Sequence, residues 1–177
     1  MVPVIEYLPD SDVDAMLDGQ LRALFSTCFT GPHNERFKWQ RFYSEMPHQR
    51  WLIREPERVI AHVAMHDKSI GTVAGNFDIG GIAEVSVHPD LRGRGLVKQL
   101  LAAAHAASTQ RGLPFAFLFG NIDIYRSSGY VPVKNPLRFF DRTSNGWCLR
   151  PDDAALVALL GPTPWPEGKI DLRGPIF

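Results

Sequence analysis

Cysteine and net charge are the two properties of which this sequence has least. Its 177 residues include two cysteines, Cys28 and Cys148, and 19 basic side chains balance 19 acidic ones. Two cysteines without metal-ligand spacing form neither a disulfide framework nor a metal site, so we expect core thiols, a reducing cytoplasm and no metal. Balanced charge provides no field that would attract nucleic acid or anionic lipid, so we expect neither as a partner.

Long hydrophobic runs are also missing. The apolar stretches at residues 114–120 and 157–160 are much shorter than the roughly 20 residues that span a bilayer. The N-terminal segment has neither a basic region nor an apolar core, which argues against a signal peptide. A hydrophobic content of 45% then predicts a single globular domain over residues 1–177.

The spacing of apolar residues predicts strands first and then a mixture of helices and strands. Helices are predicted over residues 13–28, with Asp10 and Ser11 as caps, over 96–110, over 122–128, and from Asp152 to Gly161. Strands are predicted over 4–8, 51–53, 59–65, 82–88, 114–119, 130–133 and 137–141, with a turn at 67–69. This order of elements predicts an α/β (α+β) fold, a mixed sheet with helices on both faces.

Two segments of this pattern bear on function. Alternation over residues 82–88 predicts Ala83, Val85 and Val87 on one face of a strand, and Glu84 on the other. The aromatic and basic residues 35–47 predict a short helix or a lid over the acceptor, in preference to a surface for single-stranded nucleic acid.

A basic, glycine-containing loop lies between that strand and the next helix. Glycine lets an anion approach the backbone, and the free amides and dipole of a helix N-terminus favour negative charge. A phosphate or diphosphate site is therefore predicted, with a solvated basic turn as the alternative. Its residues are Arg92, Gly93, Arg94, Gly95, Leu96, Val97 and Lys98.

The loop resembles the acyl-CoA pyrophosphate loop of the GCN5-related N-acetyltransferase (GNAT) superfamily. The pattern is Gln/Arg-x-x-Gly-x-Gly/Ala after a strand Val-x-Val-x-Pro, and here residues 85–89 precede residues 92–97. A second motif, Tyr-x-x-x-Gly-Phe/Tyr, matches residues 125–130. The chain departs from the first pattern at Val97, where the superfamily usually has Gly or Ala and where a β-branched side chain would crowd the diphosphate.

The resemblance implies that the mixed sheet is mostly antiparallel. It also implies direct transfer of an acyl group from acetyl-CoA to an amine in a ternary complex. The backbone of Val85, Ser86 and Val87 would hold the pantetheine and polarise the thioester carbonyl, and Asn121 would also contact the coenzyme. Tyr125 stands at the position of the general acid that protonates the departing thiolate, with packing of a short helix as the alternative.

Three residues are candidates for the general base. Glu84 lies where the superfamily commonly has an acidic residue, with a structural salt bridge as the alternative. His62 lies in a run that resembles aminoglycoside 2′-N-acetyltransferases and nodulation N-acyltransferases, with a core histidine as the alternative. The tail, residues 165–175, resembles the end of the nodulation enzymes. The C-terminal carboxylate of Phe177 is therefore the third candidate, with a closing strand whose end is solvated as the alternative.

These features together predict an acetyl-CoA-dependent N-acetyltransferase that acts on a primary amine of a small molecule. The two resemblances favour an aminosugar or aminoglycoside as acceptor and leave a longer acyl donor open. The sequence leaves the oligomeric state open, a homodimer included. Two alternatives remain: a non-catalytic acyl-CoA-binding or sensor domain, and a protein Nα- or lysine acetyltransferase.

Overall fold

The computed structural model describes residues 3–177 and divides them into two compact units. The first unit comprises the described residues up to 66 together with Ala83–Ala104, and the second comprises Asp67–Ile82 and His105–Phe177. Strands β3 (Arg58–Thr72) and β4 (Gly75–Val87) and helix α2 (Leu96–Gln110) run through both units.

The first unit contains antiparallel strands and one long helix. Strand β1 (Glu6–Pro9) pairs with β2 (Gln49–Glu55), and β2 pairs with the first half of β3. Helix α1 (Ala15–Cys28) begins at Asp14, whose carboxylate accepts a 2.8 Å bond from the amide of Leu17. Short 3-10 helices lie at Asp10–Asp12, Pro32–Lys38 and Pro89–Leu91.

Apolar residues spaced by three and four on α1 form the core of the first unit with side chains from β2 and β3, as the helical period requires. The buried members are Leu17, Leu21, Leu24, Phe25, Phe37, Leu52 and Val59.

The second unit is mostly sheet. Its strands are β5 (Phe115–Phe119), β6 (Tyr130–Pro132), β7 (Leu137–Asp141), β8 (Gly146–Arg150), β9 (Ala155–Leu159) and β10 (Ile170–Pro175). Together with β3 and β4 they lie in the order β6-β9-β5-β4-β3-β10-β7-β8, in which β4–β5 and β7–β10 are parallel pairs. The pairs β5–β9, β6–β9, β7–β8 and β3–β10 are antiparallel. A short helix, α3 (Ile122–Tyr125), follows β5 and continues as a 3-10 turn over Arg126–Ser128.

The predicted fold class is confirmed, because the sheet is mixed and mostly antiparallel. Helix α2 has the predicted bounds, Leu96–Gln110, and the strands predicted at residues 51–53 and 59–65 lie within β2 and β3. Gly129 ends the short helix in the left-handed conformation, with φ +88°. Strand β8 was not predicted.

Several predicted elements are wrong, for physical reasons. The helix expected to follow Asp152 is strand β9, which lies between β5 and β6 and whose first four residues are buried. A short apolar run suits either structure. The turn expected at residues 67–69 is a continuation of β3, and the chain reverses after Thr72, whose hydroxyl accepts from the amide of Ala74. The helix expected over residues 35–47 is limited to the 3-10 helix that ends at Lys38.

Two further corrections concern the polar residues of the first unit. Asp10 does not cap α1, because Asp14 does, and the Asp10 carboxylate binds two arginines instead. The strict alternation expected over residues 82–88 is broken at Glu84, whose φ of +43° is left-handed.

Candidate active site

The basic loop before α2 turns twice through left-handed backbone, at Gly93 (φ +76°) and Gly95 (φ +74°). A Cβ atom placed at either glycine would meet no heavy atom of the described residues within 4 Å, so open space lies beside both. The left-handed backbone would be strained with any residue that has a Cβ, so it favours glycine at both positions. The missing Cβ also lets an anion approach the backbone of the loop. Arg92, Arg94 and Lys98 are exposed around this turn, so the loop has the chemistry of an anion site.

The start of α2 supplies further donors. The amide of Gln99 donates to the carbonyl of Gly95 over 3.2 Å, so the amides of the preceding first turn have no intrahelical acceptor. Leu96 is buried and holds the helix end in place, whereas Val97 is half-buried.

The strand end before the loop is tied to it by side chains. Arg92 Nε and Cys28 Sγ both donate to the carbonyl oxygen of Val87, each over 3.3 Å. Burial raises the pKa of the Cys28 thiol, so this cysteine is a protonated donor. The carbonyl of Val87 thus already has partners, and the Ser86 hydroxyl donates to the carbonyl of Glu84 at 3.3 Å.

Glu84 is the strained residue of β4. A φ of +43° is uncommon for a residue with a Cβ, and such conformations persist where surrounding contacts hold them. The carbonyl of Glu84 accepts from His62 Nδ1 at 2.9 Å as well as from Ser86. The turn gives the Glu84 side chain a direction that regular strand geometry would not.

The Glu84 carboxylate is 8% exposed and only partly paired. Its Oε1 accepts a 2.8 Å bond from the amide of Tyr43, while Oε2 is buried without a partner among the described residues. Burial raises the pKa of Glu84 to about 7, against the opposing effect of the Arg50 charge. A carboxyl with such a pKa and one free oxygen is suited to accept a proton near neutral pH.

A fully buried arginine, Arg50 on β2, lies at the centre of the surrounding charges. Its Nε donates to Asp10 Oδ1 at 2.6 Å, its Nη1 contacts His62 Nε2 at 3.0 Å, and its Nη2 donates to the carbonyl of Arg41 at 3.0 Å. Asp10 also accepts two bonds from the Arg41 guanidinium. Although burial raises the pKa of Asp10, its two arginine partners outweigh burial and hold the pKa below its usual range.

His62 is completely buried, as expected for a residue within β3. An arginine has no acceptor, so the contact with Arg50 makes His62 Nε2 the acceptor and leaves Nδ1 as the donor to the Glu84 carbonyl. Burial, aided by the Arg50 charge, lowers the pKa of His62 well below its usual value. Both ring nitrogens are engaged, and these contacts favour a positioning role for His62 over that of a base.

The sequence itself connects this geometry with a known family. The sequence model of the acetyltransferase (GNAT) domain matches residues 5–133, which include the loop, Glu84 and Tyr125. The chain belongs to the GNAT acetyltransferase family. No curated protein sequence matches the chain.

Solved GNAT structures share the fold. YhbS from Escherichia coli, solved in complex with CoA, is 16% identical, with a TM-score of 0.66 over 96% of this chain and 89% of that chain. A GNAT acetyltransferase from Brucella melitensis, solved in complex with acetyl-CoA, is 16% identical, with a TM-score of 0.61 over 94% of this chain and 95% of its own. A probable N-acyltransferase from Enterococcus faecalis V583 is 17% identical, with a TM-score of 0.57, over 73% of this chain but only 32% of its own.

The second GNAT motif lies in the second unit, on α3. Tyr125 is 8% exposed, and its ring meets that of Tyr130 edge-on with the centroids 5.9 Å apart. A Cβ at Gly120 would lie 2.5 Å from the Tyr125 ring, so glycine is needed for this approach. Burial raises the pKa of Tyr125 to about 12, so the phenol holds its proton at neutral pH.

Asn121 and Phe177 also lie in the second unit. The Asn121 side-chain oxygen accepts from the amide of Asp123 at 2.9 Å and caps α3, so the side chain is oriented by the start of this helix. The Phe177 ring packs against β4, since a Cβ at Gly81 would lie 2.8 Å from it, and the closing strand β10 ends two residues earlier. The carboxylate of Phe177 stays a predicted base.

Asp10 and Arg50 were not predicted as residues of the candidate site, and Arg41 and Tyr43 were predicted only as part of the lid over residues 35–47. Arg50 had a detectable signal, since it precedes the apolar Trp51–Ile53 run of a buried strand, where an arginine requires a partner. Tyr43 contributes only its backbone amide, which no sequence pattern marks. Among the described residues, no group of three or more His, Cys, Asp or Glu side chains is arranged to hold a metal ion. No helix of residues 3–177 has the length and apolar character needed to cross a membrane.

Proposed function

We propose that this GNAT acetyltransferase transfers an acetyl group from acetyl-CoA to a primary amine of a small molecule, such as an aminosugar or aminoglycoside, with Glu84 as the general base. The observation that carries the proposal is the Glu84 carboxyl, buried, with a pKa of about 7 and an Oε2 that has no partner among the described residues. A substrate ammonium must lose a proton before its nitrogen can attack a thioester, and a base with a pKa near the working pH does this efficiently.

The coenzyme is assigned to the loop. Its diphosphate would be bound by Arg92, Arg94, Lys98 and the amides of residues 93–98, and the half-buried Val97 would border it. The CoA and acetyl-CoA complexes of the Escherichia coli and Brucella proteins support acetyl-CoA as the donor. The backbone of Val85, Ser86 and Val87 is the proposed contact of the pantetheine. The Val87 carbonyl already accepts from Cys28 and Arg92.

Tyr125 is the proposed general acid. Because its pKa is raised to about 12, its phenol carries a proton at neutral pH and can donate it to a departing thiolate. We further propose that residues 1–177 act as one acyl-CoA N-acyltransferase domain and that the protein works in the cytoplasm, since both of its cysteines carry free thiols.

The proposal is tested by the release of CoA thiol from acetyl-CoA in the presence of a panel of aminosugars, aminoglycosides, simple amines and peptides with a free N-terminus or lysine. We expect turnover with at least one small amine. The Glu84→Gln variant should lose kcat/KM by on the order of 10²–10⁴-fold while its Kd for CoA stays unchanged.

A matched control is Glu57→Gln, which removes an exposed carboxylate next to Arg58 in the first unit. It should leave kcat/KM at the wild-type value. CoA binding without turnover on any amine would contradict the enzymatic function, and turnover with peptides alone would contradict the small-molecule acceptor.

A further inference from the structure

The contacts around Glu84 extend to a residue that no catalytic motif includes. We propose that Arg50 is a positioning residue for the proposed base: it fixes the tautomer of His62, and His62 then holds the backbone turn that directs the Glu84 carboxylate. The inference rests on the proposed function, because it assigns this role with respect to Glu84 as base.

The first step is the tautomer. The guanidinium of Arg50 carries hydrogens on every nitrogen, so His62 Nε2, 3.0 Å from Nη1, must present its lone pair. The one proton of a neutral imidazole is thereby placed on Nδ1. Phe25 packs edge-on against the His62 ring, with centroids 5.0 Å apart, and keeps it from rotating.

The second step is the backbone turn. The Nδ1 proton is donated to the Glu84 carbonyl over 2.9 Å, and that carbonyl belongs to the residue with a φ of +43°. In a regular strand the Glu84 carbonyl would point along the ladder to a neighbouring strand. Here the Glu84 carbonyl accepts from the buried imidazole of His62 on β3 instead. The carboxylate of Glu84 is fixed by the bond from the Tyr43 amide.

The third step is the position of Arg50 itself. Besides its contacts with His62 and the Arg41 carbonyl, the Arg50 guanidinium donates to Asp10, which in turn binds the Arg41 guanidinium. The Arg50 nitrogen that donates to His62 therefore cannot rotate away. The charged and titratable groups around Glu84 are thus Asp10 from the turn after β1, Arg50 from β2 and His62 from β3. Arg41, from the segment after the Pro32–Lys38 helix, binds Asp10. Outer contacts of this kind orient a reacting group without touching substrate.

Two variants of His62 separate its two bonds. His62→Asn keeps a nitrogen donor near the position of Nδ1 and removes the acceptor for Arg50. His62→Gln places an amide near the position of Nε2 and removes the donor to Glu84. We expect His62→Gln to lose kcat on the order of 10- to 100-fold, and His62→Asn to retain more of it, with KM for acetyl-CoA unchanged in both.

The pH profile tests Arg50. Loss of its positive charge in Arg50→Met should move the acidic limb of kcat/KM to higher pH, because that charge opposes protonation of Glu84. Arg50→Lys, which restores a charge and a donor, should move the limb back. Val63→Ala is the control, since Val63 is a fully buried apolar residue next to His62: it should lower stability and leave the limb in place.

A spectroscopic readout does not depend on activity or on the folding of a variant. Nitrogen-15 spectra of labelled histidine in the wild-type protein should show His62 as the neutral Nδ1–H tautomer. An Nε2–H tautomer, or a His62→Gln variant with wild-type kcat, would overturn the inference. Failure of the proposed function has a different signature, full activity of Glu84→Gln, and in that case the spectrum still decides whether Arg50 fixes the imidazole.

Discussion

The two units of the chain bury different kinds of side chain. In the first unit, Asp10, Arg50, His62 and Glu84 are all less than a tenth exposed and are joined by hydrogen bonds. In the second unit the core is apolar, and the partly buried Trp165 packs against its Phe115 and Phe117. The comparison teaches that burial acts differently on each kind: it stabilises the aromatic core by itself, whereas each buried charge needs a partner.

Two histidines, one in each unit, also differ in their hydrogen-bond partners. Burial lowers the pKa of His105 in the second unit to about 4, and its Nε2 meets the Tyr130 hydroxyl at 2.9 Å. His62 has a lowered pKa as well, but it contacts a cation on one side and a strained carbonyl on the other. Desolvation alone therefore does not distinguish these two histidines, whereas their hydrogen-bond partners do.

The largest expected effect comes from removing one buried charge. Asp10→Asn leaves Arg50 in a buried position without its counter-ion, so the free energy of unfolding should fall by about 3–5 kcal/mol. Urea denaturation measures this loss. Asp12→Asn, at an exposed residue of the same 3-10 helix, should change stability by less than about 0.5 kcal/mol. Equal stability of the two variants would show that the network contributes nothing.

The second prediction concerns pH and stability. The pKa of Glu84 is raised from 4.5 to about 7, so between these values the folded protein holds a proton that the unfolded chain has released. Stability should therefore fall as the pH rises from 4.5 through 7, by up to about 3 kcal/mol. Glu84→Gln has no such group, and its denaturation midpoint should lack this component. A wild-type profile parallel to that of Glu84→Gln would contradict the raised pKa.

The sequence was sufficient wherever the signal is local. Gly93, Gly95 and the leucine spacing of α2 predicted the loop and the helix, because left-handed turns and helical period depend on neighbouring residues. The fold class and the family followed from these motifs. Strand β9 was mistaken for a helix because the pairing partners that decide between the two structures lie on β5 and β6.

The Glu84 environment could not be predicted for the same reason. Arg50 lies 40 residues from Asp10 in sequence, and Tyr43 lies 41 residues from Glu84. The sequence therefore identified Glu84 and His62 as candidates but could not tell which of them keeps a free atom. That distinction depends on contacts between β2, β3 and β4.

The third prediction tests the second unit for a chemical role. Tyr125→Phe removes the phenolic proton and keeps the ring that packs on Tyr130 and Gly120. We expect kcat to fall on the order of 10- to 100-fold with little change in stability, measured by CoA release at saturating acceptor. Tyr7→Phe removes an exposed hydroxyl in the first unit and should have wild-type kcat. If Tyr125→Phe matches it, Tyr125 only packs.

The smallest expected effect compares two glycines at the ends of α2. Gly95 precedes the helix in the first unit and Gly112 follows it in the second; both have φ +74°, and a Cβ atom at either would meet no heavy atom of the described residues within 4 Å. Alanine at either residue should cost about 1–2 kcal/mol of stability, because the strain of the left-handed conformation is the same. Only Gly95→Ala should also raise the KM for acetyl-CoA, since only the N-terminal end of the helix offers free amides to a diphosphate. An equal KM in the two variants, at equal loss of stability, would mean that the loop does not bind the coenzyme.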